Sequence, residues 1–352
     1  MSLLDLLTAR IASQGPITVA DYMAECLMHP QFGYYATRDP LGAQGDFVTA
    51  PEISQMFGEL IGLSLAQAWI DQGRPAPFTL AEAGPGRGTL MADLLRATQQ
   101  VPGFHQSAQI VLIEASPVLR AVQKETLAPH TPQWTDTVDT LPQQPLFFVA
   151  NEFFDALPIR QFQRDGAKWR ERQIGLKDGA LCFGLGPAQA QPALDHRNAD
   201  TNDGDLVEDC PAAAPFIDAI GLRIAAHGGA GLVIDYGDWR SLGDTLQAVK
   251  SHEPQDPLQD PGSADLTAHV DFEVLAQAAA CQHTKLTTQG VFLERLGITP
   301  RAQGLAKSLK GASLDELVQA HRRLTHPDEM GQLFKVLGLY PEGQTPPPGL
   351  DA

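Results

Sequence analysis

The chain has 352 residues, 43% of them hydrophobic, with 25 Lys plus Arg against 42 Asp plus Glu and a formal charge of −17. The apolar share excludes wholesale disorder. The acidic surplus argues against a broad phosphate-binding surface, so no nucleic acid is expected as partner; a cationic small molecule or a basic protein segment suits it better. Cys26, Cys182, Cys210 and Cys281 lie far apart without a CxxC pair, which suggests neither a metal site nor a disulfide framework. No apolar run approaches the roughly 18 residues of a membrane span, and MSLLDLLTAR has neither signal- nor transit-peptide character. No membrane insertion and a cytoplasmic location are therefore expected.

In chain order, Leu3, Leu4, Leu7 and Ile11 recur at helical spacing, and Thr18 is an N-cap candidate for a helix over VADYMAECL. HPQFGYYATRDPLGAQGDFVTAPE is rich in Gly, Pro and aromatics without a period, and loops of that length tend to carry function. Residues 52–70 return to a helical pattern. From Phe78 short apolar runs (FTLAEAG, AQIVLIEAS, PLFFVANEFF, GLVIDYG) alternate with helical segments, the signature of βαβ units and a parallel sheet. Residues 158–186 read as meandering strands with Asp-Gly turns, and 187–205 as a mobile loop. A helix is expected at 214–227 and another at 271–281, then a strand over KLTTQGVF, two short helices and a strand GQLFKVLGLY. The chain thus divides into N-terminal helices with a loop (1–75), the first half of an α/β core (76–157), a β-rich insertion with its mobile loop (158–213), the second half (214–340) and a disordered tail (341–352).

The central motif is Glu82-Ala-Gly84-Pro-Gly86-Arg-Gly88, between a strand and a helix. Glycines there let a ligand approach the backbone, and the helix offers free N–H groups. A pyrophosphate gains nothing from an acid two residues before the first glycine, whereas the ammonium and sulfonium of S-adenosyl-L-methionine do. That favours this cofactor over NAD. Glu114, at the end of the next strand, is placed to accept ribose hydroxyls, and Trp134 and Asp136 follow near the expected adenine edge. Asn151-Glu152-Phe-Phe-Asp155 lies after a third apolar strand, where ligands bind in open α/β sheets; capping of a helix is the alternative reading of these polar residues. Gly45 and Asp46 in the N-terminal loop, Asp235 and Tyr236 closing GLVIDYG, and His269 in DLTAHVDF complete the substrate-side candidates. Asp271 reads as an N-cap.

These residues resemble the MidA family of S-adenosylmethionine-dependent methyltransferases, whose mitochondrial members assist assembly of respiratory complex I. The resemblance rests on GYYATRDPLGAQGDFVTAPEISQMFGELIG, AEAGPGRGTLMADLLR, VLIEASPVLRAVQ, ANEFFDALPIRQF, GLVIDYG, DPGSADLTAHVDF, TTQGVFLERLGI and MGQLFKVL, in order over residues 16–338. It implies an α/β class I (Rossmann-like) methyltransferase core with an N-terminal helical part and a β-rich insertion. It implies cofactor contacts by Glu82, Gly84, Gly86, Gly88 and Glu114, with Asp136 and Asn151 beside them. The implied reaction is methylation of an arginine on a complex I matrix-arm subunit. A guanidinium stays protonated at neutral pH, so carboxylates must hold it and take its proton. Glu152 with Asp155 or Asp46 is the expected set. Two other readings stay open: a small-molecule methyltransferase, and an assembly chaperone whose cofactor site is non-catalytic.

Overall fold

In a computed structural model that describes residues 2–37 and 48–352, the apolar runs become the strands of one sheet. Phe78–Ala83 (β1), Ala108–Ile113 (β2), Gln133–Thr135 (β3), Leu146–Asn151 (β4) and Gly229–Asp238 (β5) are parallel, and Phe334–Tyr340 (β6) joins β5 antiparallel. The order across the sheet is β6-β5-β4-β1-β2-β3, with the short Gln282–His283 strand outside β6. Every residue of β1 and β4 is buried, because helices cover both faces. Side chains of β4 alternate between two cores: Phe147 and Val149 face one cluster with Trp69, Phe78 and Phe104, while Phe148 and Ala150 face another with Ile217 and Leu275.

On the first face the helix Gln55–Asp71 lies against Thr89–Thr98, which turns Leu90, Met91, Leu94 and Leu95 inward. The approach is close. A Cβ at Gly62 would meet the Leu94 Cα at 2.8 Å, so only glycine permits this spacing. The N-terminal helices Leu3–Gln14 and Val19–Met28 each open with a capping box, Ser2 with Asp5 and Thr18 with Asp21. Their apolar faces share a third core with Ile174 of the insertion and with Leu266, and the Tyr22 hydroxyl donates to the Pro257 carbonyl at 2.6 Å. The insertion itself is the antiparallel set Arg160–Asp165, Lys168–Lys177 and Ala180–Gln189, with left-handed Asp178 and Gly179 at its second turn.

Three expectations need correction. Residues 187–205 do not form a featureless loop: Pro192–Ala199 is a 3₁₀ helix anchored by Arg197, which is 2% exposed and binds Asp200 and the Ser241 carbonyl. In KLTTQGVF only Thr287–Thr288 pairs with β6, and a helix begins at Gln289. The tail expected to be disordered is docked. Leu350 is buried, the Ser64 hydroxyl donates to the Pro348 carbonyl at 3.0 Å, and Arg295 pairs with Asp351 at 2.9 Å.

Candidate active site

From β1 the chain moves outward through β2 to β3, then returns to β4 on the other side of β1. The reversal opens a crevice at the carboxyl ends of β1 and β4, where ligands bind in sheets of this kind. A cavity of about 450 Å³ lies there. Its wall brings together Glu82, Gly84, Gly86, Glu114, Asp136, Asn151, Glu152, Asp155 and Tyr236.

On the β1–β2 side the glycine turn carries positive φ at Gly84 (61°), Gly86 (53°) and Gly88 (83°). Gly84 has a second constraint, since a Cβ there would strike the Phe153 ring at 2.9 Å. Glu82 sits beneath the turn, 2% exposed, and burial pushes its carboxyl up to about 8 against the Met91 backbone N–H, with nearby Glu114 adding to the rise. Glu114 is also raised by burial, opposed by its hydrogen bonds: Oε1 accepts from the Ser116 N–H at 2.8 Å and Oε2 from the Gln123 amide at 3.1 Å. Asp136 is at the exposed rim, paired with Arg120 at 2.5 Å.

On the β4 side Glu152 adopts a left-handed backbone, φ 51°, at the strand end. A non-glycine residue there stores about 1–3 kcal/mol of strain, which the surroundings must hold. Asp235 does so: its Oδ2 accepts the backbone N–H groups of Phe153, Phe154 and Asp155 at 3.0–3.3 Å. Glu152 Oε1 accepts from the Ala50 N–H and the Asn151 amide, both at 3.0 Å. Burial raises Glu152 to about 7, with Asp155 adding its charge, and burial raises Asp155 to about 6 with the Tyr236 hydroxyl opposing. Asp235 is raised too, by burial first and then by Asp155 and Glu152.

Several expected site residues stand elsewhere. Asp235 does not line the cavity; it is the buried anchor of the acid loop just described. His269 also lies behind the wall, its ring edge-on to Tyr236 at 5.4 Å and its backbone N–H donating to the Thr245 hydroxyl. Gly88 caps the helix Thr89–Thr98 rather than facing the cavity, and Trp134 turns its indole N–H to Gln123. Gly45 and Asp46 lie outside the described residues. Asp271 is the N-cap of Phe272–Ala278, as its position suggests.

Sequence reasoning passed over residues that support or line the cavity. Gln123 reaches from the helix Pro117–Thr126 to Glu114 and to the Gly86 carbonyl. A glutamine four residues after Leu119, on the buried face, was the available signal. Tyr35 and Asp265 line the far wall, joined by a 2.8 Å hydrogen bond; no periodicity announces that pair.

Glu82 Oε2, Asn151 Oδ1 and Asp155 Oδ1 are buried with no hydrogen-bond partner among the described residues. Buried polar atoms are ordinarily satisfied, and an unpaired buried acid is costly. A wall of such acceptors fits a ligand that brings N–H donors and positive charge, as S-adenosylmethionine does.

Comparison with known proteins agrees. Residues 60–292 match the family model described as S-adenosyl-L-methionine-dependent methyltransferase. The chain is 37% identical to the human mitochondrial protein arginine methyltransferase NDUFAF7, over 94% of this chain and 82% of that one. The same protein of Xenopus laevis is 37% identical over 97% and 85%. A crystal structure of a COG1565 superfamily member from Burkholderia thailandensis bound to S-adenosyl-homocysteine superposes with a TM-score of 0.81 at 30% identity, covering 99% of this chain and 92% of that one. The animal relatives are mitochondrial, whereas the N-terminal sequence alone led to a cytoplasmic expectation.

Proposed function

Because the chain belongs to the MidA family of S-adenosylmethionine-dependent methyltransferases, we propose that it methylates an arginine side chain of a protein, in a subunit of respiratory complex I. The observation that carries the acceptor class is the concentration of buried carboxylates on the β4 side, beyond what the cofactor's own cations need. Glu152, Asp155 and Tyr236 line this part, and Asp155 Oδ1 has no hydrogen-bond partner among the described residues. A basic side chain inserted from a protein supplies what these acids lack.

Glu82, Glu114, Gly84 and Gly86 would hold the cofactor, with Asn151 and Asp136 at its flanks. Bound there, S-adenosylmethionine supplies an electrophilic methyl group. Glu152 and Asp155 orient the guanidinium and draw its positive charge away from the nitrogen that reacts. As the new N–C bond forms and the methyl–sulfur bond breaks, that nitrogen gives up a proton. Glu152, raised to about 7, is matched to accept it near neutral pH. The left-handed backbone of Glu152, pinned by Asp235, fixes the direction of that carboxylate.

The test is transfer of an isotopically labelled methyl group to purified complex I matrix-arm subunits, followed by hydrolysis and amino-acid analysis. Label in methylarginine is expected. Label confined to small molecules would favour the small-molecule reading, and cofactor binding without transfer to any subunit the chaperone reading.

A further inference from the structure

We propose that Asp265, held by Tyr35, is a third carboxylate for the acceptor guanidinium, facing it from the wall opposite Glu152 and Asp155, so that the substrate is gripped from two walls of the cavity. This rests on the arginine reading above and adds a residue to it. Glu152 and Asp155 come from the loop after β4. Asp265 comes from elsewhere in the chain, at the start of the strand Asp265–Thr267, which belongs to a separate three-stranded sheet. Both Asp155 and Asp265 line the same cavity and are 6% and 5% exposed.

Two contacts fix the geometry between these walls. The Ala268 N–H donates to the Asp155 carbonyl at 3.0 Å, tying the end of the small strand to the acid loop. The Tyr35 hydroxyl donates to Asp265 Oδ2 at 2.8 Å and lies near enough to Asp155 to feel its charge. Tyr35 is placed in turn by the Ser116 hydroxyl, which donates to its carbonyl at 2.9 Å. Ser116 also donates its N–H to Glu114, so one short chain of bonds runs from the ribose-side acid to Asp265.

The chemistry favours this assignment over simple packing. A guanidinium is a planar fork of five donors with two usable edges, so acids on one wall leave donors for an acid on the other. Asp155 Oδ1, without a hydrogen-bond partner among the described residues, gives the cavity acceptor capacity for a donor-rich ligand. A compact ammonium ion has no second edge and gains less from a second wall.

The experiment uses the full chain saturated with S-adenosylhomocysteine and measures binding of ethylguanidinium and of propylammonium by NMR titration. Wild type is expected to bind ethylguanidinium in preference to propylammonium. Asp265→Asn should weaken ethylguanidinium by about tenfold and erase that preference, while S-adenosylhomocysteine affinity, measured on the same sample, stays within about twofold and reports an intact fold. Tyr35→Phe should weaken the same probe a few-fold. Unchanged ethylguanidinium binding in Asp265→Asn would overturn the role of Asp265 and leave the arginine reading standing. Absence of any guanidinium preference in wild type would overturn the arginine reading and this proposal with it.

Discussion

Gln123 holds Glu114 in place: its side-chain amide donates to Glu114 Oε2 at 3.1 Å and to the Gly86 carbonyl at 2.8 Å, while its own oxygen accepts the Trp134 indole N–H at 2.8 Å. One buried side chain thus ties the glycine turn after β1 to the acid after β2. Two cavity-lining segments from different strands are locked in register by it, with Trp134 choosing the orientation of the amide.

Gln123→Leu keeps the volume and removes all three bonds. We expect S-adenosylmethionine affinity to fall by about tenfold, the worth of roughly one net hydrogen bond to a charged group, with turnover at saturating cofactor little changed. Calorimetry together with kcat would show it. An unchanged affinity would mean that Glu114 is oriented without Gln123.

Glu82 sets a pH dependence of the ligand-free protein. Its carboxyl rises from an ordinary 4.5 to about 8 on folding. A raised acid pKa means that the folded state binds the proton more tightly than the unfolded chain. The contribution of this group is therefore fully present below about 4.5 and is lost as pH climbs toward 8, by on the order of 5 kcal/mol. Glu82→Gln, which mimics the neutral form, should flatten that fall in urea unfolding between pH 5 and 8. A slope equal to wild type would exclude Glu82 as its source.

The same ionisation governs the cofactor. A cation stabilises the charged carboxylate, so S-adenosylmethionine affinity should drop as pH falls below 8, and binding near neutrality should release a proton into the buffer. Calorimetry in buffers of different ionisation enthalpy measures that proton directly. Zero release at pH 7 would contradict a neutral Glu82 in the free protein.

Asp235 is the support on which the acid loop depends. Asp235→Ala would remove the acceptor of four backbone N–H groups, those of Phe153, Phe154, Asp155 and Tyr236, and free the strained Glu152. Destabilisation of about 3 kcal/mol or more is expected in denaturant unfolding. A cost below about 1 kcal/mol would show that the loop holds its shape by itself.

Glu152→Gln tests the proton acceptor. The amide keeps the size and can still accept from Ala50, but it cannot take a proton. Methyl transfer should fall by roughly 10²–10⁴-fold, the range for loss of a general base, with cofactor affinity within about twofold of wild type. Full activity would move the role to Asp155 or remove the need for a base.

Much of this site was legible in the chain itself, and the reason is local. The parallel strands end on the same edge, so an acid or glycine just after an apolar run starts at the rim of the crevice. Glu82, Gly84, Gly86, Glu114, Asn151 and Glu152 could therefore be placed by counting from the strand ends. Periodicity likewise carried the helices, because it records which face is buried.

Only tertiary structure decided the rest. Tyr35 and Asp265 are 230 positions apart, and their bond exists because the N-terminal helices pack on the small sheet across the crevice. Asp235 and His269 sit at strand and loop ends like true site residues, yet neighbouring side chains turn one toward backbone amides and the other behind Tyr236. The Pro-rich tail reads as disordered by composition, but a groove beside Phe292 and Gly338 buries Leu350. Pattern in a sequence specifies which face of an element is buried; which distant element covers it depends on packing that no local pattern encodes.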